Sequence, residues 1–151
     1  MYDPTPESYA LKLLGRREYG RLEMRKKLQQ RFDEVSEEEI QKTLDTLMEH
    51  DWQSDQRYAQ AFIRDQIIKR QGPIKIGHKL REKGIESTII NEALCEVYRF
   101  EQQLEIAQYL YKKKKGEILN KKPNLTDFEL KGKTTQFLLG RGFGYDIINE
   151  I

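Results

Sequence analysis

The 151-residue sequence has one cysteine, four prolines and only 37% hydrophobic residues. The single Cys95 excludes an intrachain disulfide and a four-cysteine zinc site, and it suits a reducing compartment. About 45–50% apolar content is usual for a globular protein, so one thick-cored enzyme domain is not expected. Small cores beneath a large polar surface fit this composition better.

Long hydrophobic runs are also missing, since the longest uninterrupted apolar stretch has three residues, as in residues 137–139. A membrane-spanning helix needs about 20 predominantly apolar residues, so none is expected. The N-terminus, Met1–Pro4, lacks the basic region and the following apolar stretch of a signal peptide, so no secretory signal is predicted. These features favour a cytoplasmic protein that makes no membrane contact.

Apolar residues recur with helical periodicity along the chain. Ile40, Leu44 and Leu47 are spaced i, i+4 and i+7, which places them on one face of a helix. Ile90, Ala93 and nearby apolar residues repeat this pattern, and no segment alternates long enough to indicate a strand. The sequence therefore predicts an all-α fold.

Residues typical of helix ends divide these faces into short helices. Ser36 and Thr126 each begin a Ser/Thr-x-x-Glu capping box, and Pro73 suits the first position of a helix. Gly84 and Gly142 lie where a helix C-terminus needs a residue with positive φ. The predicted helices span 6–17, 21–31 and 36–50, then 54–71, 73–83 and 87–99, and finally 100–115, 126–141 and 145–151.

The helix ends also indicate an internal repeat. Leu28, Leu80 and Leu138 occupy corresponding places near the ends of helices and lie 52 and 58 residues apart. We expect these leucines to be buried at equivalent positions in an elongated array of three tandem three-helix, helix-turn-helix-like repeats. The predicted domains are 1–52, 53–99 and 100–151.

The net charge of +2 conceals strong segregation of charge. Residues 16–31 and 64–83 each have seven basic and two acidic side chains, and residues 112–133 have eight and three, so each window is +5. Residues 33–51 have eight acids and one base, a net −7. Neutralising nucleic-acid phosphates requires such a local basic excess, so the three windows are candidate binding surfaces.

Charged helix faces are usually only solvated, but here the basic excess recurs in each repeat and residues 112–115 are all lysine. We interpret Tyr109 and Tyr111, which precede these lysines, as core residues rather than base-stacking platforms. The small net charge argues against a purely electrostatic DNA-binding protein. The candidate nucleic-acid or filament-binding residues are Arg21, Arg25, Lys26, Arg64, Lys69, Arg70, Lys75, Lys79, Arg81, Lys112, Lys113 and Lys114.

The sequence predicts no catalytic residue, metal or cofactor. His50 and His78 are isolated and lack the spacing of metal-binding histidine motifs. Residues 37–39 are all Glu, but they fall in a first helical turn, where the helix dipole favours acids. We expect Cys95 to lie on the apolar side of its helix and to be buried as a small hydrophobic residue.

Six segments form a pattern that covers nearly the whole chain: 10–19 (ALKLLGRREY), 23–28 (EMRKKL), 55–64 (DQRYAQAFIR), 72–76 (GPIKI), 80–85 (LREKGI) and 137–143 (FLLGRGF). In this order and at this spacing they resemble the RecX family, bacterial regulatory proteins that modulate the RecA recombinase. Arg31 stands where that family usually has glycine, so the turn before Phe32 is expected to close differently.

The resemblance implies about nine helices in three tandem repeats and binding to the filament of RecA on single-stranded DNA, with no catalysis. It implies that filament growth and strand exchange are inhibited. Direct contact with the single strand stays open, and a monomer is expected. The alternative is a helix-turn-helix repressor of duplex DNA, which would need a recognition helix rich in Arg, Asn and Gln. The acidic third helix of the first repeat disfavours it.

Overall fold

Nine α-helices and no β-strand make up residues 4–151, the part of the chain that this computed structural model describes. Residues 1–3, where the sequence predicts no secretory signal, lie outside that part. The all-α prediction is confirmed. The helices are α1 (Pro6–Leu14), α2 (Arg21–Arg31), α3 (Glu37–Glu49), α4 (Asp55–Ile68), α5 (Pro73–Glu82), α6 (Ser87–Val97), α7 (Phe100–Lys121), α8 (Asp127–Gly140) and α9 (Tyr145–Ile148).

All nine helix starts in residues 4–151 lie within one residue of their predicted positions, and the largest difference is at the end of α7. This helix continues to Lys121, six residues beyond its predicted end. Gly116 lies within it, and an exposed glycine costs a helix only about 1 kcal/mol relative to alanine. Pro123 is the effective stop, because proline has no N–H to continue the hydrogen-bond ladder.

The hydroxyl half of each predicted capping box, at the starts of α3 and α8, is present. The Ser36 hydroxyl accepts a hydrogen bond from the Glu39 N–H at 3.2 Å, and the Thr126 hydroxyl accepts one from the Glu129 N–H at 3.2 Å. Each bond satisfies a backbone donor that the first turn of a helix leaves unpaired. Helix α5 begins at Pro73, as predicted.

The C-terminal glycines also behave as predicted. Gly84 has φ +79° and Gly142 has φ +99°, both in the left-handed region that glycine adopts readily. Helix α2 ends differently, as the Arg31 substitution led us to expect. Its cap residue Phe32 has φ −127°, and the Phe32 N–H donates to the Leu28 carbonyl at 2.9 Å, so this turn closes without a left-handed residue.

The chain forms two compact units. Unit 1 contains Met1–Phe62 and Leu80–Ile90, and unit 2 contains Ile63–Lys79 and Asn91–Ile151. Helices α4, α5 and α6 each contribute residues to both units. The domain boundaries at 52/53 and 99/100 stay a prediction.

The core of unit 1 includes residues from α1, α2 and α3. Met24 and Leu28 lie four residues apart on one face of α2, and neither is exposed. Leu80, which belongs to the same unit, is equally buried. The main cluster consists of Ala10, Leu13, Tyr19, Met24, Leu28, Ile40, Leu44 and Leu47.

In unit 2, α7 packs against α8 and α9. Leu138 is 1% exposed and Phe143 is fully buried in this unit. The buried Thr134 hydroxyl donates to the Leu130 carbonyl at 3.0 Å, so this polar group is satisfied within α8. Together with Leu28 and Leu80, Leu138 confirms that the three repeat leucines are buried.

Cys95 is exposed, so its predicted burial is wrong. Helix α6 buries Ile90 and Ala93, while Leu94 and Val97 are half-buried beside them. Successive residues of an α-helix turn by about 100°, so Cys95 lies on the side of α6 facing away from these residues. The cysteine belongs to the solvent face of the helix.

Candidate functional site

A basic groove of about 250 Å³ lies in unit 2, between the C-terminal end of α4, one face of α7 and the end of α8. Among its described lining residues, five are lysine or arginine and one is acidic, so the groove is electropositive. We call it the basic groove. Its lining consists of Ile68, Lys69, Arg70, Tyr109, Leu110, Lys113, Lys114, Glu117, Phe137 and Arg141.

Helix α7 supplies one wall of the basic groove through residues at helical spacing. Tyr109, Lys113 and Glu117 are four residues apart, and Lys114 lies beside them. Residues four apart lie on the same face of a helix. Lys112 is exposed but does not line the groove, because it lies on another side of α7.

Two cations of the groove lie over aromatic rings. The guanidinium carbon of Arg70 is 4.4 Å from the centroid of the Tyr109 ring, and Lys114 Nζ is 4.9 Å from the centroid of Phe137. Such contacts are attractive, because the face of an aromatic ring carries negative partial charge. These contacts hold the positive charges of Arg70 and Lys114 beside the aromatic rings that line the groove.

Tyr109 is 48% exposed, so our interpretation of it as a core residue is wrong. Helix α7 buries Ala107 and Leu110, and Tyr109 falls about 100° away from Leu110 around the helix. The ring is therefore accessible from the groove.

Arg141 joins the end of α8 to the end of α4. Its Nη2 donates to the carbonyls of Lys69 at 2.7 Å and Arg70 at 3.0 Å. The last carbonyls of a helix have no partner within it, and a nearby cation also interacts favourably with the helix dipole. Arg141 therefore stabilises the segment that carries Lys69 and Arg70. Arg141 is not among the site residues predicted from the sequence, because the glycines on either side of it indicate only a turn.

Backbone hydrogen bonds complete this connection, which we call the clasp. The Gly72 N–H donates to the Arg141 carbonyl at 2.7 Å, and the Ile74 N–H donates to the Gly142 carbonyl at 3.0 Å. Arg70 adopts φ +57°, an uncommon conformation for a non-glycine residue. The clasp thus fixes an unusual backbone at the rim of the basic groove.

Tyr98 supports the clasp from the core of unit 2. Its hydroxyl donates to the Gln71 carbonyl at 2.8 Å. Burial raises the pKa of the Tyr98 phenol above its ordinary range, and the charge of Arg141 acts in the opposite direction. The phenol therefore stays neutral and remains a donor well above physiological pH.

Replacing Tyr98 with phenylalanine should destabilise the protein by about 1–2 kcal/mol, because the Gln71 carbonyl loses its donor. Urea denaturation measures this, with Tyr145→Phe as the exposed control. The folded pKa of Tyr98 lies above the unfolded value of about 10, so its contribution is complete below that pH and is lost as the pH rises further. The stability difference between wild type and Tyr98→Phe should shrink there, and a constant difference would contradict the assignment.

Three of the seven cations in the first basic window, which lies in unit 1, are paired with acids. Arg21 Nη2 lies 2.7 Å from Asp45 Oδ1, and Arg25 forms an ion pair with Glu37. Both acids belong to α3, so the acidic 33–51 segment folds back onto the neighbouring basic window. Exposed ion pairs add little stability, but these cancel positive charge. Lys26, which follows Arg25 on α2, is exposed.

The remaining predicted site residues do not line the basic groove. Arg64 is exposed on α4, and Lys75 is half-buried close to Gly142. Lys79 Nζ donates to Gln66 Oε1 at 3.2 Å, and Arg81 belongs to unit 1. Of the candidate residues, the groove brings together Lys69, Arg70, Lys113 and Lys114.

Two other kinds of feature are absent from residues 4–151. None of the helices there has the length and apolar character needed to cross a membrane. No group of three or more His, Cys, Asp or Glu side chains in the same range is placed to hold a metal ion.

Comparison with known proteins gives a match along the whole fold. Models of the first, second and third three-helix domains of RecX match residues 8–47, 54–94 and 101–151. The chain belongs to the RecX family. The predicted resemblance and the three tandem three-helix repeats are thereby confirmed.

Curated relatives and solved structures agree with this membership. The regulatory protein RecX of Actinobacillus pleuropneumoniae serotype 5b (strain L20) is 34% identical over 151 residues, which cover 100% of this chain and 93% of that relative. The regulatory protein RecX of Acinetobacter baylyi is 36% identical over 141 residues, covering 93% and 82%. The crystal structure of RecX from Lactobacillus salivarius superposes with a TM-score of 0.83 at 29% identity, over 96% of this chain and 90% of that one.

Proposed function

We propose that this RecX-family chain regulates the RecA recombinase, mainly as an inhibitor. It binds the filament of RecA on single-stranded DNA and limits filament growth and strand exchange. Its relatives are named regulatory proteins, which supports a regulatory role. We propose that it acts as a monomer in the cytoplasm, in DNA recombination and repair during the SOS response, without a catalytic step.

The observation that carries this proposal is the excess of basic over acidic side chains in the basic groove of unit 2. Lys113, Arg70 and their neighbours face one acid, Glu117, among the described lining residues. In unit 1, by contrast, Arg21 and Arg25 are paired with acids of α3. A basic groove on a protein of nearly balanced net charge suits a partner that combines protein with nucleic acid.

The alternative, a repressor of duplex DNA, has weaker support. Helix α3 would be the recognition helix of the first repeat, but it begins with residues 37–39, all Glu. Acids in the first turn would meet the phosphates that flank a major groove, which is unfavourable.

Lys113→Glu should weaken binding to preformed RecA filaments by about tenfold, equivalent to ~1.4 kcal/mol. The substitution replaces the attraction between residue 113 and a nucleic-acid phosphate with repulsion. The slope of log affinity against log salt should also fall by about one unit, as expected when one phosphate contact is lost. Binding is measured over a salt series, and inhibition of strand exchange is measured in parallel.

Lys112→Glu is the matched control, because it changes the net charge equally at an adjacent residue outside the groove. It should change filament binding much less than Lys113→Glu. Equal effects would show that overall charge matters and the groove does not. The full chain is used throughout, because a fragment ending at residue 99 would lack residues 100–151, the larger part of unit 2.

A further inference from the structure

We propose that the basic groove is a direct subsite for one nucleotide of a single-stranded nucleic acid. The base stacks on Tyr109, and the phosphate lies between Lys69 and Lys113. This inference rests on the proposed function and deepens it, because it assigns the groove to the nucleic acid of the filament rather than to its protein.

The aromatic part of the subsite is Tyr109. Its ring is 48% exposed inside a groove with cationic walls, and Arg70 lies 4.4 Å from its centroid. Proteins that bind single strands combine this pair of features, since a base stacks on an aromatic ring while basic residues follow the backbone. The planar guanidinium covers one face of this ring, so the base stacks on the face that remains exposed.

The phosphate part of the subsite is provided by two lysines. Lys113 lies one helical turn from Tyr109 on the same face of α7, which separates their Cβ atoms by about 5–6 Å. The lysine can therefore reach the phosphate of a nucleotide whose base lies on the Tyr109 ring. Lys69 lines the groove from α4, and its ion pair with Asp65, at 3.3 Å, is exposed on both sides. A weak surface pair of this kind exchanges readily for a phosphate.

The clasp holds this arrangement before a ligand arrives. Arg141 uses its Nη2 on the carbonyls of Lys69 and Arg70, so it is a positioning residue. The left-handed backbone of Arg70, at φ +57°, sets the direction in which its side chain reaches Tyr109. Binding then requires little reordering of the groove, which favours affinity.

A single strand fits these features better than the other anionic polymers. The bases of a duplex are stacked on each other, so none is available to the Tyr109 ring. An acidic peptide would satisfy the lysines, but its carboxylates would gain nothing from the exposed aromatic ring. Dependence of binding on Tyr109 therefore distinguishes a nucleotide from a peptide.

The test measures binding of a short labelled oligothymidylate to the full chain, without RecA, by fluorescence anisotropy. Tyr109→Ala should weaken binding by about tenfold, while Tyr109→Phe, which keeps the ring, should retain it. Tyr145→Ala is the matched control, because Tyr145 is 59% exposed in unit 2 but lies outside the groove. Thymidine monophosphate, used as a competitor, shows whether a free nucleotide also occupies the subsite.

An abasic strand of the same length provides the second arm. The wild type should bind it about tenfold more weakly than the thymidine strand. Tyr109→Ala should bind both strands equally, because loss of either the ring or the base removes the same stacking interaction. The inference is wrong if Tyr109→Ala and Tyr145→Ala behave alike, or if the abasic strand binds the wild type as tightly. Displacement by polyglutamate that is equally effective in wild type and Tyr109→Ala, with no loss of oligonucleotide affinity in the variant, would identify an acidic-peptide site instead.

Failure of this inference and failure of the proposed function give different results. If Lys113→Glu weakens filament binding while Tyr109→Ala leaves oligonucleotide binding unchanged, the regulatory function stands and the nucleotide subsite is wrong. If Tyr109 controls oligonucleotide binding but the wild type leaves RecA strand exchange unaffected, the subsite stands and the proposed function is wrong.

Discussion

Gly72→Ala should destabilise unit 2 by about 3 kcal/mol or more, because the added methyl group has no space. An ideal Cβ at Gly72 would lie 2.2 Å from the backbone carbon of Gly142 and 2.5 Å from the backbone nitrogen of Phe143. Backbone atoms cannot turn away as a flexible side chain can. Relief would require the two chain segments to separate, which would break the 2.7 Å bond from Gly72 to the Arg141 carbonyl. Urea denaturation followed by far-UV circular dichroism measures the loss.

Gly132→Ala is the matched control for this substitution. Gly132 lies inside α8, and no atom lies within 4 Å of the position that its Cβ would take. Alanine has the higher helix propensity, so this variant should gain about 0.5–1 kcal/mol. A Gly72→Ala protein as stable as the wild type would show that the two segments do not approach as closely as the structure describes.

The fold follows largely from local features that the sequence displays. A hydroxyl at Ser36 or Thr126 meets the backbone of its own first turn, three residues away. Gly84 and Gly142 adopt left-handed conformations in the turns that follow α5 and α8. Periodicity then identifies the buried side of each helix, as it does for Leu138. These features need no knowledge of distant residues, so they are predictable from the sequence.

Two predictions are wrong because they follow local composition and not helix geometry: the burial of Cys95 and the end of α7. Cys95 directly follows the apolar residues Ala93 and Leu94 in the sequence, but the helical repeat of 3.6 residues places it on the exposed side of α6. The predicted end of α7 at residue 115 is also wrong, because a glycine at position 116 does not prevent the helix from continuing to Lys121. In both places geometry within one helix outweighs local composition.

The candidate site depends on contacts between distant parts of the chain. The basic windows include Lys69 and Lys113, but nothing in the sequence shows that they line one groove. Arg141 reaches the carbonyl of Lys69 across 72 residues. The pairing of Arg25 with Glu37 is likewise set by the packing of α2 against α3. Charge windows identify which residues are basic, whereas packing decides which of them keep their charge unpaired.

Phe143→Ala should reduce the free energy of unfolding by about 3–5 kcal/mol, because it removes a large side chain from a closed core. Phe143 is fully buried in unit 2, directly after the left-handed Gly142. Its N–H donates to the Leu138 carbonyl at 3.1 Å, so the backbone here is fixed and the cavity cannot collapse freely. The loss therefore combines the lost apolar burial with the cost of an empty volume. Thermal and urea denaturation measure it.

Phe128→Ala removes the same atoms from a different environment, since Phe128 is 87% exposed near the start of α8. Exposed substitutions usually change stability by no more than about 0.5 kcal/mol, so this variant should unfold almost as the wild type does. The comparison isolates burial, because residue type, unit and truncation are identical. If Phe143→Ala cost no more than Phe128→Ala, Phe143 could not be part of the packed core of unit 2, and the basic groove would lack the rigid base that its proposed binding role requires.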